Sequence, residues 1–314
     1  MIARGKMSRK AFWEAVEQRL AACSADELRA ILRAMAQETR PSDRRIFLAR
    51  LGVRETAPVT AEQVIQPEDL LAEIEDLAEE LDDAMQSADG WEDRYEWGEY
   101  YDDEDSLGPY ETFVAPLSAL FDRVDAAFDY GDLALARPAY QSLFELLGTE
   151  DGYGRGVHLS ELPDVDANEA IARYLRAVYE TEPLAQRPSV LYTQMRQAST
   201  WSFRLYPMLD DLIQISPHPL PDREPFLVDW ISFLRMQNAP SGSHVDAWLR
   251  EAVQLSQGTP GLASLARAEG RTYPRAYLDW FTALAAEDRY QELLDAAQEA
   301  LEVLPDGWPI RAAI

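Results

Sequence analysis

Apolar residues recur along most of this chain at three- and four-residue intervals, the spacing that lines one face of an α-helix, and no run of strand length alternates apolar with polar positions. Phe12, Trp13, Val16 and Leu20 form the first stripe. Ser24 and Glu27 have the spacing of a capping box, in which each side chain satisfies the other residue's free amide, ahead of a helix faced by Leu28, Ile31, Leu32 and Met35. Pro41, Ser42 and Asp43 open a third helix carrying Ile46, Phe47 and Leu51, so residues 8–52 predict a compact three-helix unit. Residues 1–7 read as a short leader or an upstream start. A linker rich in Thr, Pro and Val over 55–66 leads to a helix that begins near Pro67 and keeps Leu70, Ile74, Leu77, Leu81 and Met85 on one face. Residues 90–105 read as a long loop or irregular insertion. Helical patterns resume at Pro109, and further helices are expected around 192–197, 205–215, 226–236 and 245–255.

An internal repeat is visible after Pro109. Ala136, Tyr140 and Leu143 follow the turn at Gly131-Asp132, and Ala170, Tyr174 and Ala177 repeat this small–aromatic–small-or-apolar pattern 34 residues later, with Pro183 after them. Tyr277, Trp280 and Leu284, then Tyr290, Leu293, Ala297, Ala300 and Pro305, give a third match, with Leu293 large where a small residue belongs. A small side chain at a helix crossing lets two helices approach, and an aromatic four residues on fills the next groove. These residues resemble the tetratricopeptide repeat, whose period is 34, over about a third of the chain. The resemblance implies an all-α fold of antiparallel helix pairs stacked as a solenoid, with a groove that binds a protein segment. Residues 185–270 lack the pattern and are either degenerate repeats or a different helical array. Residues 305–314 read as the entry into another helix, so the chain is either a piece of a longer protein or one that ends in a partner's groove.

Charge divides the molecule further. The 56 acidic residues against 29 Lys and Arg leave a formal net charge of −27, which repels a nucleic-acid backbone and favours basic partners. Residues 1–54 hold 12 basic and 6 acidic side chains, a balance of +6, whereas residues 55–105 hold 20 acidic and one basic, a balance of −19. Three parts follow: a basic helical unit over 1–54, an acidic helix with an aromatic-acidic insertion over 55–108, and a helical array over 109–314. The basic part is expected to dock on the acidic stretch or on a larger assembly. Cys23 is the only cysteine, and the chain lacks both a signal-peptide core and an 18-residue apolar run, so a cytoplasmic location with no membrane partner is expected.

Candidate chemistry is sparse. Cys23, His158, His218 and His244 lack the close spacing of a zinc clip, with His218 and His244 at expected turns or helix starts. Glycines 152, 154 and 156 follow a helix and two acids, not a strand, and read as a flexible connection. A calcium loop started at Asp103 has Gly108 in sixth place but Val114 where a closing Glu belongs. Asp164, Asp166 and Asn168 likewise lack the Gly and Glu of such a loop, so Asp166 or Asn168 is expected to cap a helix. No catalytic residue, metal or cofactor is therefore assigned. The pointed candidate is a partner-binding surface of Trp91, Tyr95, Trp97, Tyr100 and Tyr101 with Asp102, Asp103, Glu104 and Asp105, because aromatics anchor interfaces and carboxylates steer a basic partner. The function expected is an interaction scaffold or adaptor. The alternatives are an acidic nucleic-acid mimic that regulates a nucleic-acid-binding protein, and a metal-dependent hydrolase.

Overall fold

A computed structural model describes residues 67–88, 110–152, 155–201, 206–304 and 311. All of them belong to the larger of two compact units, Ile65–Ile314; the other unit, Met1–Val64, lies outside the described residues. The basic unit expected over 1–54, with Cys23, and the insertion expected over 90–105 also lie outside them.

The described residues form α-helices joined by turns, with no strand among them. In chain order these are α1 (Pro67–Ala88), α2 (Glu111–Asp129), α3 (Leu133–Leu147), α4 (Ala167–Thr181), α5 (Arg187–Trp201), α6 (Leu209–Gln214), α7 (Arg223–Met236), α8 (His244–Glu269), α9 (Arg275–Ala286) and α10 (Tyr290–Val303). The expected stripe of α1, from Leu70 to Met85, is buried at all five positions. It packs on α3 and, less extensively, on α2. Asp166 caps α4 by accepting from the amides of Asn168 at 2.9 Å and Glu169 at 3.1 Å.

Packing is local along the chain. Every pair of helices in extensive contact lies at most two apart in order, either as neighbours, as in α2–α3, α3–α4, α7–α8, α8–α9 and α9–α10, or one removed, as in α1–α3, α2–α4 and α5–α7. The small–aromatic residues Ala136, Tyr140, Leu143, Ala170, Tyr174 and Ala177 all lie in this core, as does Tyr277. In contrast, Tyr290 of the third match is 59% exposed. Between α3 and α4, where a pair of helices 34 residues apart would enclose another helix, there is a single 3₁₀ turn, Leu159–Glu161. Val157, Leu159 and Leu162 nonetheless reach the core from that connection.

Two helix hairpins, α2–α3 and α9–α10, close with the same turn. The amides of Gly131 and Asp132 donate to the carbonyls of Phe128 and Ala127, and those of Asp288 and Arg289 donate to Ala285 and Leu284. This is the Schellman pairing, which requires a left-handed residue just past the helix end. Gly131 supplies it at φ 83° and Asp288 at φ 58°. α8 is kinked at Gly258, whose φ of 62° and ψ of −155° lie in a region open essentially to glycine alone.

Buried ion pairs fix the middle of the array. The Arg176 guanidinium of α4 is enclosed, bonds Glu180, and donates to the carbonyls of Leu212 at 3.0 Å, His218 at 3.0 Å and Pro219 at 3.1 Å. It thereby pins the α6–α7 connection to α4. In α8, Arg250 bridges buried Asp246 at 3.1 Å and Asp279 of α9. Each charge has partners in place, as a buried ion requires.

Candidate partner-binding site

The acidic stretch is described where it forms α1. One face of α1 is committed to the core, so its polar residues point outward; nine of its 22 residues are acidic and none is basic. Glu75 and Glu79, Asp76 and Glu80, and Glu79 and Asp83 stand four residues apart, where like charges face each other and cost a few tenths of a kcal/mol (~0.2–0.5) per pair. The buried apolar face must offset this cost.

A groove of about 300 Å³ runs between α1 and α2. Glu73, Asp76 and Glu80 form its α1 rim; Leu77 and Leu120 form its floor; Pro116, Ala119 and Arg123 form the α2 side. Arg123 pairs with Glu73 across it. Apolar floor and carboxylate rim suit the aliphatic stem and charged head of a Lys or Arg side chain. Arg123 shows how such a cation is received.

A second polar cluster joins α2, α3 and α4. The Asp125 carboxylate accepts from the Tyr140 hydroxyl and from Arg173 Nη1 at 2.9 Å, and Arg173 Nη2 also lies 3.4 Å from Glu169. Burial pushes the Asp125 carboxyl up to about 6 against the opposing pull of Arg173 and the Tyr140 hydrogen bond. Burial, reinforced by the adjacent Asp125 charge, also raises the Tyr140 phenol. A third group, Glu251 of α8, caps α6 by accepting from the amides of Leu209 at 2.9 Å and Asp210 at 2.8 Å. Its burial outweighs those bonds and pushes it up to about 7. Nearby, Asn168, Ile171, Ala172, Tyr206, Pro207 and Asp211 line a cavity of about 20 Å³, room for about one water molecule.

The expected site residues Trp91, Tyr95, Trp97, Tyr100, Tyr101, Asp102, Asp103, Glu104 and Asp105 lie outside the described residues. His158 precedes the 3₁₀ turn, His218 lies in the α6–α7 connection and His244 begins α8. The His244 ring lies against that of Tyr206, centroids 3.8 Å apart and planes tilted by 46°. Among the described residues no group of three or more His, Cys, Asp or Glu side chains is placed to hold a metal ion, and no helix is long and apolar enough to cross a membrane. Arg176, Asp125 and Glu251 were not anticipated, because their partners lie 15 to 48 residues away in the chain. A local trace existed for Asp125, which stands on the buried face of α2 between Phe121 and Phe128. Comparison of the chain with family models, curated proteins and solved structures gives no match in any of the three.

Proposed function

We propose that the protein is an interaction scaffold, a tetratricopeptide-like helical array that binds a basic protein partner through an acidic face. The observation that carries this reading is α1, a helix that accumulates carboxylates at a cost to its own stability and lines an apolar-floored groove with them. Retaining such a cost is expected where the charge serves binding. The solenoid part of the reading draws on the chain-local packing of the helices, which is how stacked repeats bury a continuous core. The segment from Trp91 to Asp105, rich in aromatic and acidic residues, follows α1 in sequence after Asp89 and Gly90.

The test is to recover the partner by co-purification, identify it by mass, and titrate it against the full chain and a Glu73→Gln, Asp76→Asn, Glu80→Gln variant at several salt concentrations. Neutralisation is expected to weaken binding about tenfold and to flatten its salt dependence. Affinity and salt slope unchanged by the variant would remove α1 from the binding surface.

A further inference from the structure

The shared turn aligns the two hairpins residue for residue. Leu133 corresponds to Tyr290, Arg137 to Leu294, Tyr140 to Ala297 and Phe144 to Leu301. The inner faces match: Ala139, Leu143 and Leu147 of α3 are buried, and so are Ala296, Ala300 and Leu304 of the second hairpin. The outer faces do not. On α3, Arg137 donates to Thr181 at 2.9 Å and pairs with Glu182 at 2.6 Å, both at the end of α4. Phe144 is covered by Tyr174 of α4, with centroids 5.6 Å apart, and by Trp201 of α5, at 4.3 Å. On α10 the equivalent positions are Leu294, 62% exposed, and Leu301, 41% exposed, with Tyr290 on the same stripe. The face that α3 gives to a neighbouring helix is thus apolar on α10 and carries no such cover among the described residues.

We propose that this stripe is a docking face for one amphipathic helix of a partner protein, with Lys or Arg along one flank. The inference rests on the scaffold reading and names a second, separate contact surface for it. Helix spacing comes from the stripe itself, since Tyr290, Leu294 and Leu301 repeat at four and seven residues. Ala297 is small where α3 has Tyr140, so no aromatic side chain stands between the two leucines.

The charge of the occupant follows from the border. The exposed carboxylates of Asp295 and Glu302 stand to one side of the stripe, beyond Gln291 and Gln298, and α10 contains no Lys or Arg. Three arginines around the hairpin are engaged: Arg289 by Glu287 and Glu292, Arg267 by Glu299, and Arg311 by the carbonyls of Leu301 and Leu304. On α3 the array supplies the cation and the covering helix the carboxylate; on α10 the cation must come from the visitor. A second copy of the chain docking by this same face would bring its own Asp295 and Glu302 to these carboxylates.

The experiment uses the full chain and a fluorescein-labelled 18-residue amphipathic peptide, with Leu at i, i+4 and i+7 and Lys along one flank, beside an isomer with Glu in place of each Lys. Fluorescence anisotropy is expected to show binding of the Lys peptide only. A Leu294→Glu, Leu301→Glu pair is expected to weaken it at least about tenfold, although it adds negative charge, with the melting temperature held. A Leu294→Ala, Leu301→Ala pair gives the same reading in milder form. Equal binding of both peptides, unchanged affinity in the leucine variants, or a dimer in sedimentation that these variants abolish would overturn the assignment. Binding lost on neutralising Glu73, Asp76 and Glu80 but kept in the leucine variants would also overturn it, while leaving the α1 surface in place.

Discussion

The hairpins α2–α3 and α9–α10 share a turn, a helix register and a buried inner face, and they differ in what lies on the outside. α2–α3 is enclosed by α1 and α4, while among the described residues α10 has only α9 in extensive contact. Turn geometry and inner packing are set within each hairpin by a left-handed residue and small or apolar side chains at i, i+4 and i+8. The worth of an outer position depends on its neighbour in space. The largest test of this difference is Phe144→Ala against Leu301→Ala, two truncations at one register position. Phe144 is fully buried in an aromatic cluster with Phe121, Tyr140, Tyr174 and Trp201. Its removal is expected to cost about 3–5 kcal/mol in urea unfolding. Leu301→Ala should cost under about 1 kcal/mol. Comparable losses would mean that α10 is covered in solution.

The hairpins also differ in how they respond to pH. Asp125 lies inside the first; its counterpart in the second is Thr282, an exposed residue that cannot ionise in this range. Asp125 holds its proton more tightly in the folded state, at about 6 against an ordinary 3.8. Its contribution is therefore fully present below pH 4 and lost as pH rises to about 6. A tenfold change in proton affinity corresponds to about 1.4 kcal/mol, and a carboxyl side chain 30% exposed is partly screened, so a loss of about 1–2 kcal/mol is expected across that window. Unfolding at pH 4, 5, 6 and 7 should show the decline in the wild type and a shallower one in Asp125→Asn. Glu251 acts in the same direction between about 4.5 and about 7, and Glu251→Gln should remove that later part of the decline. Equal slopes in all three proteins would mean that neither carboxyl titrates high.

Much of the fold was legible because it is written in local spacing. The α1 stripe from Leu70 to Met85, the Asp166 cap and the burial of Tyr140 and Tyr174 all follow from residues within one or two turns of each other. The 34-residue interval was misleading in one respect. Residues 148–166 do the burying of a helix with an irregular chain, placing Val157, Leu159 and Leu162 in the core. Gly156 permits this, since a Cβ there would collide with the Thr149 carbonyl oxygen. Arg176 reaching one carbonyl of α6 and two of the α6–α7 connection, and Glu251 capping α6, could not be read at all, because both depend on how distant segments meet. The α10 stripe was hidden for the opposite reason. Tyr290, Leu294 and Leu301 look like core residues, and only their exposure sets them apart.

The smallest expected effect separates the two turns. Gly131 and Asp288 hold the same place in the same Schellman closure, at φ 83° and 58°. A Cβ at Gly131 would meet nothing within 4 Å, so Gly131→Ala tests the backbone alone. It should cost about 1 kcal/mol, the strain of a left-handed L-residue less what alanine saves in unfolded-chain entropy. Asp288→Gly removes that strain but adds unfolded-chain entropy, and it gives up only an exposed bond from the Tyr290 hydroxyl at 3.1 Å. Because aspartate tolerates the left-handed region better than most residues, the two effects nearly cancel, and a change within about 0.5 kcal/mol is expected. The pair of measurements, read by urea unfolding, thus assigns the first turn's stability to glycine and the second's to the hydrogen bonds both share. A large gain in Asp288→Gly would instead place real strain at the base of α10, and would make the second hairpin the weaker for its turn as well as for its uncovered face.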